Sequence, residues 1–170
     1  MSCHANKRTM NEIKTLQMAN DQLLPEVIKI LHEGHTVTLP LRGYSMRPFL
    51  EDGRDKALLK FVGQLFDGDV VLAEISPGHY VLHRIVGMDG DKVTLRGDGN
   101  LNTEHCTTGD IKATAIGFYR KGRTKLDSTY GLKWRVYSWC WTRLLPIRRY
   151  LLFAMHPHIP NRLKRKNNKQ

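Results

Sequence analysis

The stretch from Asp67 to Asp91, Asp-Gly-Asp-Val-Val-Leu-Ala-Glu-Ile-Ser-Pro-Gly-His-Tyr-Val-Leu-His-Arg-Ile-Val-Gly-Met-Asp-Gly-Asp, decides the fold. Two β-prone runs, Asp69–Ile75 and His79–Val86, lie between the turn triplets Asp67-Gly68-Asp69, Ser76-Pro77-Gly78 and Asp89-Gly90-Asp91. Runs this short, joined by Gly- and Pro-containing turns, predict antiparallel hairpins. No crossover helix fits between them, so a parallel α/β sheet is disfavoured.

The same pattern extends outward. From Thr36 the chain alternates, with Val37, Leu39 and Leu41 set against Thr36, Thr38 and Pro40. That is the period of a half-buried strand. Further strand-like runs are Lys56–Phe61, Asp91–Arg96 and Ile111–Phe118, and Asp52-Gly53 and Gly97-Asp98-Gly99-Asn100 supply more turn chemistry. A mainly β body of antiparallel strands is therefore expected over residues 36–119. Ahead of it, residues 1–35 read as an arm and a short helix. Pro25 suits the first helical turn, Gly34 a stop, and Leu24, Val27, Ile28 and Leu31 form one stripe. Residues 120–170 begin as a basic, Gly-containing linker. They continue from Leu132 as an aromatic, basic helical segment that Pro146 should interrupt. A second short helix is expected around Leu151, Leu152 and Phe153, and the last ten residues are almost wholly polar.

The chain has 170 residues, 41% of them apolar and 25% charged, a globular composition for one domain with appendages. No apolar run approaches the ~18–20 residues of a membrane-spanning helix, and the first residues lack the apolar stretch of a secretory signal. Cys3, Cys106 and Cys140 form neither a disulfide framework nor a zinc pattern. The expected compartment is cytoplasmic, with peripheral attachment at a membrane face left open. The net charge of +11 is polarised. Residues 120–170 hold 14 Lys and Arg against one acid, Asp127, whereas residues 1–119 hold 13 against 15. A slightly acidic body carries a basic tail suited to phosphate, on lipid or nucleic acid.

Three places could carry chemistry. Arg42-Gly43-Tyr44-Ser45-Met46-Arg47-Pro48 would present a serine hydroxyl on a turn with main-chain N–H groups nearby, as a nucleophile with an oxyanion site requires. On the strand Val81–Val86, His83 shares a face with Val81 and Ile85, surroundings that favour the neutral imidazole a general base needs. Beyond Gly97-Asp98-Gly99-Asn100, Glu104 offers a carboxylate able to orient an imidazole. Each piece also has a plain structural reading: a turn serine, a half-buried histidine, a hairpin turn.

Their order is more specific. Gly-x-Ser-Met-x-Pro, then Gly68-Asp69-Val70-Val71, then His83-Arg84-Ile85-Val86, then Gly97-Asp98-x-Asn100 resembles the signal peptidase and LexA-type serine peptidases, over about residues 36–119. The resemblance implies their β body. Where bacterial members carry a lysine base, His83-Arg84 is similar to the endoplasmic-reticulum type of signal peptidase, whose base is histidine. It implies a Ser45–His83 pair with Glu104, where Asp is usual, as the third member. Asp98 takes a supporting role more structural than catalytic. The implied activity is that of a serine endopeptidase acting on a signal, leader or propeptide sequence, with no cofactor. The chain departs from the pattern in several ways. It shows no membrane anchor before the serine and no Ala-Gly self-cleavage pair. Gly43 stands where some members carry an oxyanion hydroxyl, and Gly53-Arg54-Asp55 replaces a plain Gly-Asp.

The alternative is a non-catalytic binding module, or a LexA-like regulator whose tail holds membrane or nucleic acid. In the tail, Trp134, Trp139, Trp141, Leu144 and Leu145 could enter a bilayer interface while Arg135, Arg143, Arg148 and Arg149 meet headgroups. Residues 132–155 as a whole form that candidate surface. The aromatics could instead stack on bases, which the Trp and Leu content disfavours, or pack back on the body. No metal is expected: His79 and His83, four apart on a strand, stand about 13 Å apart. No P-loop or dinucleotide fingerprint is present.

Overall fold

The computed structural model describes residues 20–144, 147 and 150–152. Its strands are β1 (Val37–Pro40), β2 (Lys56–Phe61), β3 (Val70–Ser76), β4 (His79–Asp89), β5 (Lys92–Arg96), β6 (Glu104–Thr107), β7 (Ile111–Tyr119) and β8 (Leu126–Ser128). They form one antiparallel sheet in the order β1-β2-β7-β3-β4-β5-β6, with β8 added to β7. The mainly β body is thus present, flanked by α1 (Asn20–His32) and α2 (Leu132–Arg143). Among the described residues, no helix is long and apolar enough to cross a membrane.

The alternation expected from the sequence survives in detail. Val37 and Leu39 of β1 turn inward while Thr38 and Pro40 face out. The tight turns carry left-handed glycines: Gly78 at φ 73° follows Pro77 at the second central position, as a type II turn requires, and Gly90 at φ 55° takes the first central position between Asp89 and Lys92, as in a type II′ hairpin. Three readings are corrected. α1 already includes Asn20, the first described residue, so Pro25 lies inside it and not in its first turn. Leu23 and Leu24 pack on the core, and this contact outweighs the hydrogen bond that a proline cannot donate. Glu104–Thr107 and Leu126–Ser128 are strands that the alternation did not reveal. β8 carries the sheet past residue 119, into what reads as a linker. The arm before residue 20, the break at Pro146, Phe153 and the last ten residues lie outside the described residues.

Two apolar clusters occupy the sheet. One joins Leu59, Leu72, Ala113 and Phe118 to Val27 and Leu31 of α1 and to Trp134 of α2. The other holds Val71, Ala73, Ile85, Val93 and Leu95. Arg84, 1% exposed, ties the sheet to its surroundings. Its guanidinium donates to both carboxylate oxygens of Asp98, Nε to Oδ1 at 2.9 Å and Nη2 to Oδ2 at 2.7 Å. Nη1 donates to Gly68 O and to Ser138 Oγ of α2, and the guanidinium lies 4.9 Å from the Trp134 ring. One side chain thus joins the turn before β3, the loop after β5 and the inner face of α2.

A buried pair of this kind is weak evidence of net stability, but its partners cannot be removed one at a time without stranding a charge. Arg84→Met should cost about 3–5 kcal/mol in urea unfolding because the buried Asp98 carboxylate loses its bidentate guanidinium. The double variant Arg84→Met with Asp98→Leu should recover part of that loss. Additive losses from the two single variants would show that the pair is not coupled.

Candidate active site

The chain from Leu41 to Asp55 leaves β1, folds into a loop and returns to β2. Buried Asp55 closes its base. Its carboxylate accepts from Glu51 N, from Lys121 N beyond β7, and from Arg54 Nε and Nη2. Burial pushes this carboxyl up, but those hydrogen bonds and the charges of Arg54 and Arg120 outweigh it, so it titrates below its ordinary range. The departure Gly53-Arg54-Asp55 is therefore a loop anchor. Gly43, at φ 85°, donates its N–H to Asp52 Oδ1 at 2.9 Å.

Ser45 sits half-buried at the head of this loop. The loop is held from the other side by Gly97-Asp98-Gly99-Asn100. Gly99 N donates to Ser45 O at 2.7 Å. A β-carbon on Gly99 would stand 2.6 Å from Tyr44 O, and one on Gly97 would stand 2.4 Å from Ser45 O and 3.0 Å from His83 Nε2. The two glycines are required by space. Main chain lies on main chain here, and the imidazole closes in where a side chain would otherwise stand. The Gly-Asp-Gly segment is therefore more than a turn between β5 and β6. Phe49, further along the serine loop, packs against Trp134 and Tyr137 of α2 with ring centres 4.5 and 4.4 Å away.

Strand register brings the third residue in. Ile85 of β4 pairs with Leu95 of β5, and Leu95 pairs with Glu104 of β6, so Ile85, Leu95 and Glu104 share a face. His83, two residues before Ile85, shares that face, as the strand reading requires. It lies near the end of β5, where no side chain intervenes. His83 Nδ1 is 2.8 Å from Glu104 Oε2. The approach is close but off the N–H direction, so neither atom makes an aligned hydrogen bond. Burial pushes the His83 pKa below its ordinary value, against the upward pull of the Glu104 carboxylate. Desolvation wins, and the ring is neutral at neutral pH.

Ser45, Gly43, His83, Asn100 and Glu104 line one cleft of about 900 Å³, whose remaining wall is largely leucine from α1, β1, β2 and β3. Asp98 is not in that wall; its carboxylate is held by Arg84 behind it. The sequence named Gly43, Ser45, His83 and Glu104, but not Glu51 or Tyr80, which also line the cleft. It missed that Leu23 and Leu24 of α1 line the cleft, and that Arg84 and Trp141 support the loops. The indole N–H of Trp141 donates to Asp98 O at 3.0 Å. Among the described residues, no cluster of His, Cys, Asp and Glu could hold a metal ion. No family model matches the chain, and no curated protein matches it.

Gly97→Ala must push the Ser45 main chain or the His83 ring aside, and should cost about 1–3 kcal/mol. It should also move the His83 imidazole resonances in NMR. Gly87→Ala, where an added β-carbon meets nothing within 4 Å, should be close to neutral. Equal effects of the two substitutions would refute the close-contact account.

Proposed function

We propose that the protein is a serine endopeptidase in which Ser45 is the nucleophile, His83 the general base and Glu104 the group that orients it. One observation carries this reading. A single buried histidine meets both other parts of the site: its Nδ1 lies 2.8 Å from Glu104 Oε2, and its Nε2 borders Gly97, where an added β-carbon would also meet Ser45 O. A neutral imidazole between a carboxylate and the loop that carries a serine supports a role in acyl transfer.

In the proposed reaction Ser45 Oγ attacks the scissile carbonyl carbon and its proton passes to His83 Nε2. The Ser45 main-chain N–H helps hold the oxyanion. As the tetrahedral intermediate collapses, His83 returns the proton to the leaving amine and an acyl-enzyme remains. Water, deprotonated by the same nitrogen, then attacks the acyl carbon and releases Ser45. Glu104 stabilises the imidazolium formed in each half. The resemblance to signal peptidases and LexA-type peptidases supports a leader, signal or propeptide as substrate. The cleft of about 900 Å³, with leucine-rich walls, suits a segment carrying apolar side chains.

The test is to offer the native protein and its Ser45→Ala variant a diverse peptide mixture and to read new termini by mass spectrometry. Cuts should come from the native protein alone. His83→Ala should abolish them as well, with far-UV circular dichroism unchanged in both variants. Full activity in Ser45→Ala would overturn the mechanism, and specific peptide binding without cleavage would favour the non-catalytic module.

The pH dependence has a definite sign. The base must be neutral, so kcat/KM should fall as pH drops through the depressed pKa of His83, with an acid limb centred below about 6.5. Glu104 raises that pKa. Glu104→Gln should therefore lower the plateau and move the acid limb to still lower pH. A limb moving upward would exclude Glu104 as the partner carboxylate.

A further inference from the structure

α2 has two unlike faces. Its inner face is fully engaged with the body: Trp134 and Trp141 are buried, Ser138 accepts from Arg84, and Trp141 donates to Asp98 O. The sequence-based surface that placed Trp134 and Trp141 in a bilayer is corrected on this point, because both indoles are occupied by the protein. The outer face is different. Leu132, Val136 and Trp139 recur at helical spacing and are 77%, 52% and 59% exposed. Tyr130, just before the helix, is 72% exposed.

Cations surround this apolar stripe. Lys133, Arg135 and Arg143 are exposed beside it, and the Arg143 guanidinium lies 4.8 Å from the Trp139 ring centre. The nearest acid in sequence, Asp127, is engaged by Arg120 at 2.7 Å and Lys133 at 3.6 Å. Residues 128–170 contain ten Lys and Arg and no Asp or Glu. An exposed Trp-Val-Leu stripe whose charged neighbours on the helix are all cations complements one kind of surface, with apolar depth under a layer of negative charge.

We infer that the outer face of α2 docks the protein on an anionic phospholipid bilayer, with Leu132, Val136 and Trp139 entering the acyl boundary and Lys133, Arg135 and Arg143 meeting headgroup phosphates. The docking does not depend on the peptidase reading. Nucleic acid fits less well, because its phosphates would meet the cations while the aliphatic stripe stayed in water.

The full chain should sediment with vesicles of phosphatidylcholine mixed with phosphatidylserine, and not with phosphatidylcholine alone, and raised salt should weaken the binding. The variant Val136→Ser with Trp139→Ser alters only exposed side chains. It should keep the native circular dichroism and bind about tenfold more weakly, as loss of buried apolar area at an interface requires. A second readout separates the helix from the basic terminus. Vesicles should blue-shift the tryptophan emission of the native protein, and Trp139→Phe should abolish that shift, since Trp134 and Trp141 are already buried. Undiminished binding by the double variant would assign the interaction to the basic terminus and overturn the proposal. So would a shift that survives in Trp139→Phe, or binding to single-stranded DNA in preference to the vesicles.

Discussion

The bidentate pair between Arg84 and Asp98 is the constraint on which the other contacts depend. A buried guanidinium has five N–H donors, and each left without an acceptor would carry a desolvation penalty. Here Asp98 takes two of those bonds, Gly68 O one and Ser138 Oγ another. Meeting that requirement fixes the Gly97–Asn100 loop against β4 and sets α2 on the body with one face inward. Arg84 also follows His83 directly. The network that satisfies the arginine thus holds the backbone that carries the imidazole.

The serine loop is fixed by contacts of a different kind. Its own base is closed by Asp55, and its head is clasped by two glycines whose value lies in having no side chain. The hydrogen bond from Gly99 N to Ser45 O joins residues 54 apart in sequence. The proposed nucleophile and base are thereby brought to one wall of one cleft without a direct covalent or metal link. Phe49 then continues the loop into the aromatic group of α2, so the helix acts as a buttress of the site.

The strands were legible because inward-facing residues such as Val37 and Leu39, or Val93 and Leu95, carry the alternation themselves. β6 and β8 were not. Glu104-His105-Cys106-Thr107 is a polar, half-exposed edge with no apolar residue but a cysteine, and pairing to β5 alone makes it a strand. Ser45, His83 and Glu104 could be named from their order along the chain. The contact between Gly97 and the Ser45 main chain could not, since no local pattern reports on what lies across a cleft. The aromatic content of α2 was equally plain, but its inner face was not. Trp134 and Trp141 point inward because Arg84 and Asp98 O await them, and both partners lie more than forty residues away.

The same helix explains why an exposed Trp-Val-Leu stripe need not destabilise the body. Inner-face contacts with Phe49, Arg84 and Asp98 O already secure α2, leaving the outer residues free of any packing duty. A stripe of large apolar side chains kept in water is unfavourable by the area it exposes, and nothing in the described contacts of the body requires it. The charge distribution points the same way. Asp127 offsets one positive charge where it pairs with Arg120 and Lys133, and against the 14 Lys and Arg of residues 120–170 the field of the segment stays positive. If that outer face docks on anionic lipid as proposed, α2 would stand between the bilayer and Phe49 of the loop that holds Ser45. Docking would then restrict where a substrate could approach the cleft without touching the proposed catalytic residues. For docking also to alter their chemistry, lipid would have to distinguish two arrangements of the Trp141–Asp98 contact. The close main-chain packing at Gly97 and Gly99 leaves little room for a second one. Location, rather than allosteric adjustment, is what the architecture of α2 supports.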